Sequence, residues 1–361
     1  MFKFDFYKDV LYRFIRRELK NYPKINYYQR IWRHRNDEKF VCKVMNIKHP
    51  DMIEFKNFGV KHPEKNIYFI SFNAGMGLGG CLKETILGLV EADHLGFTPV
   101  VFYPPKDCPY AEAEKVNGTD NPFEYYFEQV ADIPVEDVYE SARVFLYHNG
   151  HAVRAEYDLG NPDPSASASY FISDSYLNGM ARVLKKYIRL NSIVDERVSA
   201  DMNHLLPDGW MWDEKKVLGV HVRGTDYALN WMNHPNMVTV DEFIQAIDEI
   251  METYDYEYVF LATDDKRRVD SLSQKYGSKL ICYKDVFRGD RDLCVALEKN
   301  DRPLHHYLCG LEVIRDMYTL ARCDSLVCGL SQISILPQTI CIAENRSYRY
   351  LKVLDKGIYQ G

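Results

Sequence analysis

From residue 217 onward, short apolar runs alternate with amphipathic stretches four times over. Residues 217–223, 258–263, 279–283 and 325–330 read as strands, and 240–254, 267–276, 311–321 and 333–343 as helices. A strand that is apolar on both faces is covered on both faces, which is the habit of parallel sheets. Parallel neighbours need a long crossover, usually a helix, to return to the same edge. A chain that repeats this unit is confined to a doubly wound α/β layout. One earlier stretch has the same grammar. Residues 66–72 read as a buried strand, a glycine-rich turn spans 73–80, and Leu82, Ile86, Leu89 and Val90 share one face of a helix running to His94. A second strand over 97–103 stops at Pro104 and Pro105. Residues 104–165 read as loops with a strand at 144–147, and 168–206 as helical. The expected organisation is an extension over 1–60, a first Rossmann-like domain over 61–210 and a second over 211–361. A chain of 361 residues has room for two such domains.

Charge narrows the function classes. Residues 1–36 hold ten Lys/Arg against three Asp/Glu, so a chain with net charge −7 carries −14 outside that stretch. An acidic body argues against a nucleic-acid partner, which would require a broad basic face. The basic start is also aromatic, with Phe2, Tyr12, Phe14, Tyr27 and Trp32 among others. Two readings fit it: a helix packing its aromatics on the body, which is the favoured one, and a peripheral contact with an anionic membrane surface. No apolar run approaches the roughly 18 residues of a membrane span, and no signal-peptide core follows Met1. Nine scattered cysteines, none in Cys-x-x-Cys spacing, fit a reducing compartment. A cytoplasmic protein is expected.

Ligands of open parallel sheets bind beyond the carboxyl ends of the strands. His221, Arg223 and Asp226 come after Val217–Val220, Asp264 and Asp265 follow 258–263, and Ser331 and Gln332 follow 325–330. Arg223 presents a planar fork of donors suited to phosphate oxygens, and it stays charged at any working pH. A cation there would stabilise a departing diphosphate more than a bound one. A salt bridge to Asp226 or Asp264 is the alternative role. His221 suits a ligand hydrogen bond or a buried structural one, and Asp265 suits either the ligand or the cap of the following helix.

Gly75, Gly77 and Gly80 match G-x-G-x-x-G between a strand and a helix, with Asn73 and Gly79 in the same loop. An NAD-dependent oxidoreductase is therefore a competing reading. The next strand ends in Phe102-Tyr103-Pro104, without the acid that would bind the ribose. A loop letting backbone approach a sugar or phosphate fits better. Nothing in the sequence has metal-ligand spacing, so no metal and no cofactor are expected.

Three segments resemble the fucosyltransferase superfamily, which spans α-1,6-, α-1,2- and protein O-fucosyltransferases. They are His221-Val-Arg-Gly-Thr-Asp-Tyr227, Val259-Phe-Leu-Ala-Thr-Asp-Asp265 and Cys323-Asp-Ser-Leu-Val-Cys-Gly-Leu-Ser-Gln332. The 75–80 loop resembles the family's acceptor-side loop. The resemblance implies a GT-B fold, two Rossmann-like domains facing a cleft with the donor on the C-terminal one, and an inverting, metal-independent transfer from GDP-fucose. It implies that Arg223 contacts the β-phosphate, with His221 beside it, and that Asp316 recognises guanine. Ser331 and Gln332 fall at phosphate or fucose contacts. Asp226 is the candidate general base, with Glu242 and Glu84 weaker candidates. Gly224 and Tyr227 stand where α-1,6 enzymes have an arginine and a lysine, and Thr225 stands where the α-1,2 type has glycine. The implied acceptor is a glycan or lipid-linked oligosaccharide of a bacterial surface polysaccharide. A non-catalytic nucleotide- or glycan-binding protein of the same fold is the third reading.

Overall fold

The computed structural model describes residues 53–147, 173–206, 216–230, 234–298 and 300–359, the isolated positions 33, 34, 37, 40, 41, 43, 45, 170 and 212, and the backbone but not the side chain of Asp226. Most of the basic stretch, and with it the expected membrane contact, lies outside the described residues.

The first sheet has the order β1-β4-β2-β3, from strands β1 (Ile53–Lys56), β2 (Ile67–Ser71), β3 (Thr98–Phe102) and β4 (Val144–Tyr147). β2 pairs in parallel with both β3 and β4, and β1 closes the edge antiparallel to β4. Helix α1 (Leu78–Leu95) is the crossover from β2 to β3, and it ends at Gly96 in the left-handed conformation (φ 67°) that glycine adopts at no steric cost. α1 begins four residues before the expected Leu82. The second half of the glycine turn is thus the first turn of the helix.

The expected 168–206 helix is two helices, α2 (Asp174–Tyr187) and α3 (Ser192–Leu205). The break has a local cause. Asn191 starts a new helix by accepting a hydrogen bond from the Val194 N–H at 3.0 Å, as Ser173 does for α2 from Tyr176 at 3.2 Å.

The second sheet is all parallel, in the order β7-β6-β5-β8-β9, from β5 (Val217–Val222), β6 (Tyr258–Thr263), β7 (Leu280–Ile281), β8 (Ser325–Gly329) and β9 (Tyr350–Leu354). Its crossover helices are α4 (Val240–Thr253), α5 (Lys266–Tyr276) and α6 (His305–Arg322), with α7 (Gln332–Ala343) after β8. In chain order this is 3-2-1-4-5, with the direction of winding reversing between β5 and β8. A crevice opens at such a reversal. β7 is shorter than the expected 279–283, and α6 starts six residues before the expected 311.

The largest apolar cluster does not respect the two sheets. It joins Leu82, Ile86, Tyr126 and Met180 to Tyr307, Ile314, Ile335 and Leu336. α7 packs against both α1 and α2. Tyr126 stacks on Tyr307, centroids 5.4 Å apart, and donates its hydroxyl to the Tyr307 carbonyl at 2.9 Å. Burial of this kind is the main favourable contribution to holding the halves together.

Candidate active site

Beyond the ends of β6, β5 and β8 the strand-end residues come together. Arg223 leaves β5 and forms an ion pair with Asp264 at the end of β6. The same carboxylate accepts the Gly224 N–H at 3.0 Å and the Thr225 hydroxyl at 2.7 Å. Asp264 therefore aims the arginine instead of contributing an independent charge. The Arg223 side chain remains about a quarter exposed, with its guanidinium carbon 5.2 Å from the Tyr227 ring centroid.

Asp265 packs under the same turn, but its carboxylate is committed to the following helix. Fully buried, it caps α5 by accepting the Arg267 N–H at 2.9 Å and binds the Arg267 side chain through both oxygens. These bonds hold its carboxyl below the usual range against the opposing effect of burial.

Gly224 and Thr225 each have a steric reason for their place in the turn. A Cβ on Gly224 would stand 2.3 Å from the Asp265 Cβ, so no second arginine fits there. Thr225 has φ 38°, a conformation rare for a β-branched residue, and it is held by the bonds to Asp264 and by one from its N–H to Asp265 at 3.4 Å. A glycine at the same place would take this conformation without strain. Asp226 follows in the 3-10 turn Thr225–Leu229; its side chain lies outside the described residues.

His221 is buried between Ser331 and Ser334, with its Nδ1 3.1 Å from the Ser334 Oγ and 3.3 Å from the Ser331 Oγ. Ser334 donates its only hydroxyl proton to the Gly329 carbonyl at 2.6 Å, so it can only accept from the ring. Nδ1 thus carries the proton and Nε2 is an acceptor. Burial lowers the imidazole pKa to about 4, which keeps it neutral. His221 orders the loop after β8. Ser331 itself caps α7, and Gln332 opens that helix.

The glycine loop reaches the same edge. A Cβ on Gly79 would lie 2.8 Å from Ile333 Cδ1 and 3.2 Å from the Gln332 Cβ, so α1 touches α7 here. Asn73 accepts the Gly75 N–H at 2.8 Å, leaving 75–77 exposed, and Gly80 packs beside Met76. Tyr110 was not anticipated. Its hydroxyl accepts the Leu78 N–H at 2.9 Å, and it feels the charge of Arg223. Its residue type carries no motif, so only the fold reveals it.

Asp316 lies on α6, 8% exposed, with one carboxylate oxygen lacking any hydrogen-bond partner. Burial raises its pKa to about 7. Arg288, also missed, faces the same charge environment from the loop after β7.

Of the weaker base candidates, Glu242 is spent in a capping box with Thr239 and an ion pair with Lys356. These bonds hold its pKa near 2, too low for a base at neutral pH. Glu84 accepts from the Tyr147 hydroxyl at 3.1 Å and pairs with Lys83. Among the described residues, no group of three His, Cys, Asp or Glu could hold a metal ion, and no helix is long and apolar enough to cross a membrane. A surface cavity of about 610 Å³ lined by Asn117, Glu124, Gln129 and Asn191 lies off this edge. Its amides are engaged with the backbone carbonyls of Val101 and Tyr125.

Residues 168–338 match the family model for the N- and catalytic domains of α-(1,6)-fucosyltransferase. No curated protein matches the chain. Among solved structures, NodZ α-1,6-fucosyltransferase soaked with GDP-fucose is 18% identical over 76% of this chain and 93% of its own, with a TM-score of 0.44. NodZ from Bradyrhizobium is 17% identical over 76% and 92%, with a TM-score of 0.43. POFUT1 in complex with GDP is 14% identical over 80% and 98%, with a TM-score of 0.42. The matched segment is just under half of the chain, yet it contains every strand-end residue from His221 to Gln332. Over residues 168–338, then, the chain is similar to the catalytic domains of α-(1,6)-fucosyltransferases.

Proposed function

We propose that the protein transfers fucose from GDP-fucose to a hydroxyl of a glycan, with inversion and without a metal ion. The observation that carries the reading is the position of Arg223. It stands at the β5–β8 reversal, inside the matched segment, aimed by Asp264. A nucleoside diphosphate at that crevice meets a fixed guanidinium, the N-terminus of α7 and the capping Ser331. Asp316 supplies a buried carboxylate for the N1–H and exocyclic amine of guanine.

The reaction is one displacement. The acceptor oxygen attacks the anomeric carbon as the bond to the β-phosphate oxygen breaks. The electron pair of that bond leaves with GDP, and Arg223 balances the charge gathering there. The acceptor proton passes to a base, for which Asp226 is proposed because it follows Arg223 in the same turn. We assign the acceptor side to the unit over 61–210, with the loop 75–77 facing the cleft, and the donor side to 211–361. The NAD reading lacks its ribose-binding acid, since the strand after α1 runs into Phe102-Tyr103-Pro104.

The proposed setting is the bacterial cytoplasm, in surface-polysaccharide assembly on lipid-linked acceptors. The eight described cysteines are all free, which fits a reducing compartment. The basic, aromatic residues 1–36 would hold the enzyme at the inner membrane face. The test is incubation with GDP-fucose and a panel of oligosaccharide acceptors in excess chelator, with products read by mass spectrometry. The expected result is a fucosylated product of inverted anomeric configuration, with one GDP released per transfer. Turnover only with added divalent metal would contradict the metal-independent displacement.

A further inference from the structure

Two buried polar atoms beside the end of β6 have no hydrogen-bond partner: an Nη of Arg288 and a carboxylate oxygen of Asp316. Arg288 is anchored through its Nε to the carbonyl of Thr263, the last residue of β6, at 3.1 Å. That places it next to Asp264, the residue that aims Arg223. Arg288 is also the strongest charge opposing protonation of Asp316, and both act on the half-buried thiol of Cys282. Yet no ion pair joins Arg288 to Asp316. The neighbouring charges are already committed: Arg315 to Asp201 and Asp285, and Glu312 to Arg302.

A buried guanidinium N–H and a buried carboxylate oxygen left apart are each costly unless something fills the space between them. The occupant must offer acceptors to the arginine and donors to the aspartate along one continuous edge. Guanine does so. Its N7 and O6 accept, the usual target of an arginine fork, and its N1–H and exocyclic amine donate. Adenine carries an amino group where guanine has O6, and so opposes a donor there.

The geometry points to Arg288 as a second base-reading residue, donating to O6 and N7 of guanine while Asp316 takes the N1 edge. This rests on the GDP-sugar reading above and deepens it. The arginine makes the site reject adenine, and it gives the site a contact at N7 that Asp316 cannot make.

The test is calorimetric titration of wild type and Arg288→Gln with GDP, 7-deaza-GDP and ADP, with melting temperatures recorded for both proteins. Wild type is expected to bind 7-deaza-GDP about tenfold more weakly than GDP and ADP far more weakly still. Arg288→Gln should bind GDP about tenfold to a hundredfold more weakly, and should no longer distinguish GDP from 7-deaza-GDP. Equal losses on both nucleotides, with the N7 preference intact, would make Arg288 structural and overturn the assignment. If the variant does not fold, wild type alone decides: equal affinity for GDP and 7-deaza-GDP overturns it. Wild type that binds no guanine nucleotide sinks the GDP-sugar reading first and this assignment with it. GDP binding without an N7 preference sinks only the latter.

Discussion

Replacing Arg223 with alanine is expected to lower turnover of GDP-fucose about a hundredfold to a thousandfold, while affinity for the donor falls by less than tenfold. The difference between the two effects is what identifies an enzyme. In the proposed donor complex the β-phosphate charge would already be shared with solvent and with the backbone amides at the start of α7. In the transition state new charge arrives on the bridging oxygen, and only a pre-aimed cation meets it without reorganising. Asp264 provides the aim and keeps its bonds to Gly224 and Thr225 when the arginine is removed, so the turn should survive. An unchanged melting temperature would confirm that. Lysine at this position should restore charge but not the fork, and so recover activity in part. Equal, small losses in turnover and affinity would instead indicate a binding protein of the same fold.

The second large effect is on stability. Gly310→Ala is expected to destabilise the fold by about 3 kcal/mol, at the upper end of the usual cost of overpacking a core. A Cβ on Gly310 would stand 2.1 Å from the Tyr126 hydroxyl oxygen and 2.5 Å from its ring carbon. Tyr126 cannot swing aside, because it is fully buried, stacked on Tyr307 and hydrogen-bonded to the Tyr307 carbonyl. The clash falls where the first half of the chain meets α6. A melting temperature lowered by several degrees should result. Adding Tyr126→Phe removes the nearest atom and should recover part of the loss. A melting temperature unaffected by Gly310→Ala would mean that the two halves are not locked at this point.

The second sheet was legible because β5, β6 and β8 are continuous apolar runs with helices between them, a pattern that admits few alternatives. The edge strands were not. β1 is four residues of alternating Ile-Glu-Phe-Lys, and β9 mixes Lys352 into Tyr-Leu-Lys-Val-Leu; both read equally well as loop. The early start of α6 was hidden by His305, His306 and Gly310, which break the apolar period; position 310 is glycine because only a glycine fits under Tyr126. In the site, the approach of Arg223 to Asp264 followed from neighbouring strand ends. The separation of Asp265 from Asp264 did not, since two adjacent carboxylates look alike until the helix cap claims one of them. Arg288 lies in an irregular loop without a motif, and nothing local marks it. Its sole sequence signal is a lone arginine just beyond a short strand, Val286-Phe-Arg-Gly289.

In the proposed complex a guanosine diphosphate sits across the β6, β5 and β8 ends with its base on Asp316. The most direct measurement is calorimetric titration of the full chain with GDP, UDP, ADP and NAD, in chelator, at pH 8 and pH 6. The Asp316 carboxylate must be ionised to accept two hydrogen bonds from guanine, and burial raises its pKa to about 7 against the lowering effect of Arg288 and Arg315. Affinity should therefore be full above pH 7 and fall as the pH drops below it, approaching tenfold per unit once the carboxyl is mostly protonated. GDP binding that excludes the other three ligands and weakens at pH 6 is the expected result. Binding of NAD alone, or GDP binding of equal strength at both pH values, would rule out a guanine held by the Asp316 carboxylate.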